Sequence, residues 1–303
     1  MSTQDSYIQI VPGSVPVATF HAHMLSAVAP RPIALASTLD SNGIANLSPF
    51  SFFNAMGANP PVMVFSPARR VRDNTTKHTF ENIKVNKEVV INAVSYDMVE
   101  QISLASCEYP DGVSEFTKSG LTPIKSDMVK PYGVAESPAR FECVVTQIIE
   151  TGTNGGAGNI IVCEVKLMHI RKDVLADDGK IDPQKIQLVA RMGGDWYARA
   201  FGDALFEVPK PNVKLGIGME QLPDKFFELG LTKNELARLA NIEHIPTAEE
   251  MTQLFKAIHM QDIESNAAKT VEESLNLALQ KGKALLQSGE LLKAWACLHH
   301  STD

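Results

Sequence analysis

The chain has 303 residues, of which 44% are hydrophobic and 21% are charged, proportions that are ordinary for a globular protein. Its net charge of −7 and its lack of any lysine or arginine run argue against nucleic acid or an anionic membrane as a partner. No apolar stretch reaches the roughly 18–20 residues that span a bilayer, and the N-terminal sequence lacks a signal-peptide pattern. The four cysteines form no C-x-x-C pair, so we expect reduced thiols in a cytoplasmic protein.

The first organised stretch, residues 31–54, predicts a hairpin. Residues 33–38 are an apolar run typical of a buried strand. Residues 40–43, with the sequence Asp-Ser-Asn-Gly, supply the chemistry of a tight turn. The chain then returns through residues 44–54, which are rich in Asn, Ser and Phe. A polar loop and three aromatic rings beside one strand suit a flat, aromatic, hydrogen-bonding ligand.

The following segments predict further strands with two helical inserts. Strand patterns occupy residues 62–66, 89–94, 139–150 and 159–171, and short helical patterns occupy 79–86 and 95–106. Residues 151–158 contain only turn-forming types and predict a hairpin loop. Because strands and helices do not alternate regularly, the pattern predicts an antiparallel barrel or sandwich rather than a doubly wound sheet.

The character of the chain changes near Val208. A proline-bearing connector leads into helical patterns, three of which open with the Thr-x-x-Glu capping box. The boxes begin at Thr232, Thr247 and Thr270. We therefore divide the chain into a β-rich domain over residues 1–207 and an α-helical region over residues 208–303.

Motifs of the common catalytic chemistries are missing from the sequence. There is no G-x-S-x-G elbow, no G-x-G-x-x-G after a strand, no Walker loop and no H-E-x-x-H. His21 and His23 would share one face of a strand, but no third ligand is near in sequence, so we expect no metal. Glu142 and Glu164 stand alone within strand patterns, and nothing marks them as an acid–base pair.

A cofactor that brings its own reactivity would explain this scarcity. A flavin needs from its protein mainly placement, stacking and hydrogen bonds, and residues 37–82 have the required Ser, Thr and Asn content. Hydroxyls and cations that suit a phosphate follow one another at Ser66, Arg69, Arg70, Arg72, Lys77 and Thr79. Thr79 also opens a helix, whose free N–H groups favour an anion. The alternative for this segment is a solvated basic loop.

Six blocks between residues 24 and 200, in order, resemble the flavin reductase-like group of FMN-binding split β-barrels. The group includes flavoredoxins and the reductase components of two-component flavin monooxygenases. The blocks are RPIALASTLDSNGIANLSPFSFFNAMGANPPVMVFS, KHTFENI, VVINAVS, GVSEFTKSGLTP, AESPARFECVV and ARMGGDWYA. The resemblance implies a mainly β fold, a six-stranded Greek-key-like split barrel, here followed by a helical C-terminal extension.

The resemblance also implies a homodimer with FMN near the subunit interface, and it assigns cofactor-binding residues position by position. It assigns no catalytic side chain and no metal ligand. Contacts to the flavin ring, several through backbone amides, are implied for Asn46, Ser48, Phe50, Ser51, Phe52 and Asn54. Hydroxyls at the end of the first strand are Ser37 and Thr38, the phosphate-side positions are Ser66, Lys77 and Thr79, and Asn82 completes a K-x-T-x-x-N pattern.

Several points stay open at the level of sequence. His78 stands where the family has aspartate, and it either adds positive charge near the phosphate or faces solvent. The three phenylalanines at positions 50, 52 and 53 can equally serve the barrel core or the dimer interface. Arg31 either pairs with a carboxylate across the interface or touches the flavin, and Tyr197 either contacts flavin or nicotinamide or helps close the barrel.

The activity that the resemblance implies is hydride transfer from NADH or NADPH to flavin. Reduced flavin would then pass to a partner oxygenase or another acceptor. One alternative is a non-catalytic FMN-binding electron carrier, similar to flavoredoxin, in which the ring is covered. Another is a degenerate barrel that binds no flavin and serves as an interaction protein.

Overall fold

The computed structural model describes residues 6–110, 112–208, 215–263 and 271–301. Their packing divides the chain into two compact units, Met1–Phe206 and Glu207–Asp303. The strands of the first unit are β1 (Ala34–Leu39), β2 (Ala45–Phe50), β3 (Phe53–Ala58), β4 (Pro61–Phe65), β5 (Glu88–Asn92), β6 (Pro123–Ile124), β7 (Gly133–Val134), β8 (Ala139–Glu150), β9 (Asn159–Ile170), β10 (Val189–Arg191) and β11 (Tyr197–Arg199). Its helices are α1 (Val17–Ala27), α2 (His78–Asn86), α3 (Val99–Ala105), α4 (Glu115–Ser119) and α5 (Pro183–Ile186).

Seven of the strands form one antiparallel sheet in the order β2-β1-β5-β8-β9-β4-β3. The predicted first hairpin is present, with Ala34 opposite Phe50 and Leu39 opposite Ala45. Its turn is held by the Asp40 carboxylate, which accepts hydrogen bonds from the backbone N–H groups of Asn42 and Ile44 at 2.8 and 2.7 Å. The predicted hairpin between β8 and β9 is also present, and the two strands pair along their full lengths.

The sheet closes into a barrel at the junction of β2 and β3. These two strands lie at opposite edges of the sheet, yet only Ser51 and Phe52 separate them in the chain. In a flat seven-stranded sheet the edge strands would be about 29 Å apart, whereas three peptide steps reach only about 11 Å. The sheet must therefore curl until its edges meet. Because β2 and β3 are not hydrogen-bonded to each other, the barrel stays split along this seam.

This junction corrects the prediction of a single return strand over residues 44–54. The chain leaves the sheet edge after Phe50 and begins a new strand at Phe53, so the sheet has seven strands where the resemblance implies six. The ring of Phe50 packs against Phe65 with centroids 5.6 Å apart. This contact holds the end of β2 over the barrel core.

Two apolar clusters cover the two faces of β1. Ala34 and Ala36 belong to the barrel core, which also contains the fully buried side chains of Phe65 and Phe80. Leu35 belongs to a second cluster, in which α3 and α4 cover the other face. Complete burial of one large apolar side chain contributes roughly 1.5–3 kcal/mol. The first strand is thus fixed from both sides, as its apolar sequence predicts.

The segment with His21 and His23 is helical, which corrects its interpretation as a strand. It forms α1, and residues two apart in a helix do not face each other. The His21 ring instead packs edge-on against Phe52, with centroids 5.9 Å apart. The predicted helix over 95–106 is a short 3-10 turn, Tyr96–Met98, followed by α3.

The second unit contains the helices α6 (Lys233–Leu239), α7 (Ala248–Ile263), α8 (Val271–Gln287) and α9 (Leu291–His300). Its own core surrounds Trp295, whose indole N–H donates to the Leu239 carbonyl at 2.9 Å. The capping boxes that begin at Thr232 and Thr247 are confirmed. The box at Thr270 lies outside the described residues. None of the helices in the described ranges is long and apolar enough to cross a membrane.

Candidate functional site

A groove follows the outer edge of β2, the strand that ends one side of the sheet. An edge strand directs half of its backbone N–H and C=O groups away from the sheet. One of these groups, the Leu47 N–H, donates to the Glu115 carboxylate at 2.8 Å. A small cleft lies beside residues 46–48, and a larger one lies beside residues 49–51. The two clefts share Ser106, so together they follow β2 for about 17 Å.

A buried hydrogen-bond network forms the wall of the groove where β2 begins. The Thr79 hydroxyl donates to Asn46 Oδ1 at 2.8 Å, and Asn46 Nδ2 donates to Glu115 at 2.9 Å. Nearby, Asn82 Nδ2 donates to the Thr38 hydroxyl at 3.1 Å. Four of the predicted site residues therefore meet here, although Asn46 and Thr79 are 33 residues apart in the chain and Thr38 and Asn82 are 44 apart. A satisfied network of this kind rigidifies its surroundings.

Glu115 is a member of this network that sequence reasoning did not single out. It is only 4% exposed, and burial raises the pKa of its carboxyl even though Leu47 and Asn46 donate hydrogen bonds to it. It lies in the block GVSEFTKSGLTP, which carries part of the family resemblance. That block could have pointed to Glu115, but a single glutamate at the start of a helix does not reveal that its partners are Asn46 and Leu47 on β2.

Three of the four predicted cations converge at the same end of the groove, around a carboxylate, while Arg69 instead donates to the Asn74 side chain at 2.8 Å. Glu108 lies 2.6 Å from Arg70, 2.7 Å from Arg72 and 3.5 Å from Lys77. The hydrogen bonds from Arg70 and Arg72 lower the pKa of Glu108 to about 2. With Glu108 among the cations, the cleft at this end holds only about 20 Å³. His78 lines the same cleft.

The wider part of the groove holds about 340 Å³ and lies beside Phe50 and Ser51. Its opposite wall comes from α3 and from the β10–β11 hairpin. Ile102 of α3 is fully buried beneath it, while Arg191 and Tyr197 of the hairpin border it. The groove is thus wide at one end, and at the other end it is narrow and lined with cations that hold a carboxylate.

Some predicted residues lie apart from the groove lining. The Ser66 hydroxyl accepts a hydrogen bond from the Asn159 N–H at 3.1 Å, at the base of the β8–β9 loop. Asn54 is exposed and bonds to the next backbone N–H. Phe52 is 36% exposed and contacts α1. Ser37 is fully buried in β1, and within the described ranges its hydroxyl has no hydrogen-bond partner.

The match to a protein family covers the same part of the chain. Residues 25–183, just over half of the sequence, match the family described as flavin reductase like domain. The chain belongs to the flavin reductase-like family.

Several relatives and solved structures are similar to this chain. An uncharacterized protein of Aquifex aeolicus (strain VF5) is 35% identical over 190 residues, which is 63% of this chain and 94% of that protein. Nitrilotriacetate monooxygenase component B from Bacillus cereus is 26% identical with a TM-score of 0.62, over 67% of this chain and 99% of that one. A Shewanella frigidimarina protein described as a flavin reductase with a split barrel domain is 30% identical with a TM-score of 0.56, over 65% and 94%. These similarities identify the fold as the split barrel of the flavin reductase-like family.

The groove of this flavin reductase-like chain has the donors that a flavin with a phosphate needs. Three cations surround the Glu108 carboxylate, and donors that hold one oxyanion also suit a phosphate. Beside the wider cleft Pro49 has no backbone N–H, so a flat heterocycle there would meet carbonyl oxygens and the polar groups of Ser51. The residues present therefore fit the group.

Arg31 links the elements around the wider end of this groove. Its guanidinium is buried and donates to the carbonyls of Leu25 and Val28 at the end of α1, and to the Met192 carbonyl at 2.8 Å. Its Nε lies 3.4 Å from the Ser51 hydroxyl. Burial, followed by the nearby charge of Arg191, lowers its pKa. Arg31 thus links α1 and the β10–β11 hairpin through carbonyl groups, and the β2–β3 junction through the Ser51 hydroxyl.

Proposed function

We propose that the protein is an FMN-binding oxidoreductase that transfers hydride from NADH or NADPH to flavin. The observation that carries this proposal is the groove along the open edge of β2, which is wide at one end and lined with cations at the other. Membership of the flavin reductase-like family supports it. In the proposed reaction sequence, reduced flavin passes to a partner oxygenase or another acceptor. The similarity to component B of a monooxygenase supports such a partner.

The phosphate of FMN is assigned to the end of the groove near Lys77 and Arg70. Both cations line the small cleft there. The N-terminus of α2 begins beside it, with Lys77 as its N-cap residue, and its first N–H groups favour an anion. A phosphate carries more negative charge than one carboxylate, so it would compete with Glu108 for these cations.

The flavin ring is assigned to the wider part beside residues 49–51. When bound there, the flavin supplies the atom that accepts hydride. The protein's contribution is to hold the ring edge against the backbone of β2 and to keep one face open to the nicotinamide. Phe50 would lie beside the ring with Ile102 buried beneath the groove, and Asn46 and Thr79 fix the wall where the ribityl chain would lie.

The oligomeric state and the domain roles are also part of this proposal. The family resemblance supports a homodimer, which the mass from size-exclusion chromatography with light scattering would test. Residues 1–207 would form the flavin-binding domain, and residues 208–303 would form a separate helical region with no part in hydride transfer.

Spectroscopy of the purified protein tests the proposal directly. We expect a flavin absorption spectrum after addition of FMN, and oxidation of NADH or NADPH when FMN is present. A colourless protein that does not retain FMN would refute both flavin functions. A yellow protein that does not oxidise either dinucleotide would favour the electron carrier.

A further inference from the structure

A second cleft continues the flavin groove beyond Tyr197. It holds about 450 Å³ and lies between α3 and the β10–β11 hairpin. Ser103, Arg191, Asp195 and Tyr197 line both spaces, so the cleft and the groove are continuous. Tyr96 and Arg199 line only the far part. We call this space the arginine–tyrosine cleft.

Two stacked arginine–tyrosine pairs characterise the arginine–tyrosine cleft. The Arg191 guanidinium lies 4.6 Å from the ring centroid of Tyr197, and the Arg199 guanidinium lies 4.5 Å from that of Tyr96. Arg199 also donates to the Tyr96 hydroxyl at 2.9 Å. Stacking on a ring holds a guanidinium in one plane and leaves its outer face and edge for a ligand. This arrangement suits an aromatic base and a phosphate.

Among the residues that the structure describes, no carboxylate forms a direct ion pair with Arg191 or Arg199. In the part of the chain that the structure describes, every carboxylate that lies within 4.0 Å of a cationic group is paired with a residue other than Arg191 and Arg199. Arg191 donates instead to the Gly194 carbonyl at 2.8 Å. Both positive charges are therefore available to an incoming anion.

The hairpin holds these arginines in a fixed register. Arg191 is opposite Tyr197, and Val189 is opposite Arg199. The hairpin is attached to the barrel by a pair of backbone hydrogen bonds between Arg31 and Arg191, each 2.9 Å long. Tyr96 is held in turn by the ring of Phe201, with centroids 5.8 Å apart. A ligand here would meet a preorganised surface.

We propose that the arginine–tyrosine cleft binds the adenosine-phosphate half of the hydride donor, with Arg199 contacting a 2′-phosphate, so that NADPH is preferred over NADH. The inference rests on the proposed function, because the groove must hold the flavin. The order of the residues matches the order of groups in the dinucleotide. Tyr197 and Arg191 border both spaces and would meet the nicotinamide side and the diphosphate. Arg199 lies beyond them and would meet the adenosine phosphate.

Two carboxylates in the same cleft would increase its selectivity for NADPH over other anions. Glu100 and Asp195 also line the cleft. Their two negative charges balance those of Arg191 and Arg199, so the cleft has no net charge and would not bind every anion. A ligand gains only when its phosphates lie at the guanidinium edges and away from these carboxylates. Glu100→Gln should therefore tighten binding of NADPH, in the direction opposite to Arg199→Gln.

The test compares Arg199→Gln with the matched control Arg171→Gln, an exposed arginine paired with Asp173 outside the cleft. Calorimetry with adenosine 2′,5′-bisphosphate should show roughly tenfold or greater weakening in Arg199→Gln and no change in the control, since one charge-assisted contact is lost. AMP should bind both variants alike. In steady-state assays KM for NADPH should rise by a similar factor, while KM for NADH and the Kd for FMN stay the same.

Reduced nicotinamide mononucleotide, which lacks the adenosine half, gives a second readout. Its rate of flavin reduction should be equal in the wild type, Arg199→Gln and Arg171→Gln. Equal binding of adenosine 2′,5′-bisphosphate by wild type and Arg199→Gln would overturn the inference, even if the enzyme reduces FMN. A protein that binds this nucleotide through Arg199 but retains no FMN would instead overturn the proposed function.

Discussion

At the scale of single residues, Glu108 is the feature with the most direct consequence for cofactor binding. Its carboxylate lies among Arg70, Arg72 and Lys77, of which Arg70 and Lys77 are assigned to the flavin phosphate. Because its pKa is held at about 2, it is negatively charged at any pH near neutrality. Phosphate and carboxylate therefore compete for one set of donors.

Replacement of Glu108 by glutamine should strengthen FMN binding by several-fold at low salt. The change removes a competing negative charge while it keeps the size of the side chain. Fluorescence titration of FMN measures the effect, which should shrink as salt screens the exposed charges. Glu164→Gln, at a carboxylate paired with Lys166 on β9, serves as control. Unchanged or weaker FMN binding in Glu108→Gln would contradict the competition.

The double substitution Lys77→Ala with Thr79→Ala should weaken FMN binding by tens-fold or more. A charge-assisted phosphate contact is worth roughly 1.5–3 kcal/mol, and both residues are assigned to that end of the groove. Unchanged affinity would refute the assignment. Riboflavin, which has no phosphate, should lose much less affinity for Lys77→Ala alone. Thermal unfolding is the necessary control, because Thr79 also donates to Asn46 in the buried network.

At the scale of secondary-structure elements, Glu142 on β8 fixes the loop that leads into β7. Its buried carboxylate accepts backbone hydrogen bonds from Asp127 and Met128 at 2.9 and 2.5 Å. His169 on β9 lies 2.7 Å away. Asp127, Glu142 and His169 form a group with metal-ligand chemistry, but the Glu142 oxygens already serve the loop. We assign this group a structural role.

The pH dependence of stability follows from this carboxylate. Burial alone would raise the pKa of Glu142, but the hydrogen bonds from Asp127, His169 and Met128 hold it below its ordinary value. Its contribution is therefore present above the unfolded pKa, about 4.3, and is lost as pH falls through the folded pKa. Glu142→Gln should cost about 1–3 kcal/mol at neutral pH. Denaturant unfolding should show this difference shrinking below about pH 4, and a constant difference would contradict the argument.

At the scale of the whole molecule, the two units have separate cores. The clusters around Phe65 and Leu35 lie in the first unit, and the cluster around Trp295 lies in the second. The regions of similarity to the Aquifex aeolicus, Bacillus cereus and Shewanella frigidimarina proteins extend over at most 67% of this chain. Flavin binding is thus assigned to a unit that contains all of its proposed residues.

Removal of residues 207–303 should leave FMN affinity within about threefold of the full chain, because no residue assigned to the groove is lost. Fluorescence titration of the two proteins, after circular dichroism has shown that the shorter one is folded, makes the comparison. A large loss of affinity in a folded 1–206 protein would show that the helical unit takes part in the site.

The sequence predicts the barrel strands well because they alternate or run apolar between clear turn signals. Residues 139–150 coincide with β8, and the turn at Asp40 follows directly from its residues. The break between β2 and β3 could not be predicted, since Ser51 and Phe52 continue the pattern of their neighbours. It follows from barrel closure, which is a property of the whole sheet.

The candidate site was likewise predictable from the sequence in part only. The family resemblance assigns Asn46 to the flavin ring and Thr79 and Lys77 to the phosphate side, whereas the structure brings all three to the narrow end of the groove. The role of Glu108 and the stacking of Arg199 on Tyr96 depend on contacts between segments 36 and 103 residues apart. No local pattern encodes such pairs.

The seam between β2 and β3 leaves a strand edge open in the protein before it binds a cofactor. An open strand edge is a template on which another chain can add a strand. A flavin seated along β2 would occupy that edge and withdraw it from such pairing. The cofactor would then act as a folding ligand as well as a reagent, protecting newly made protein from self-association.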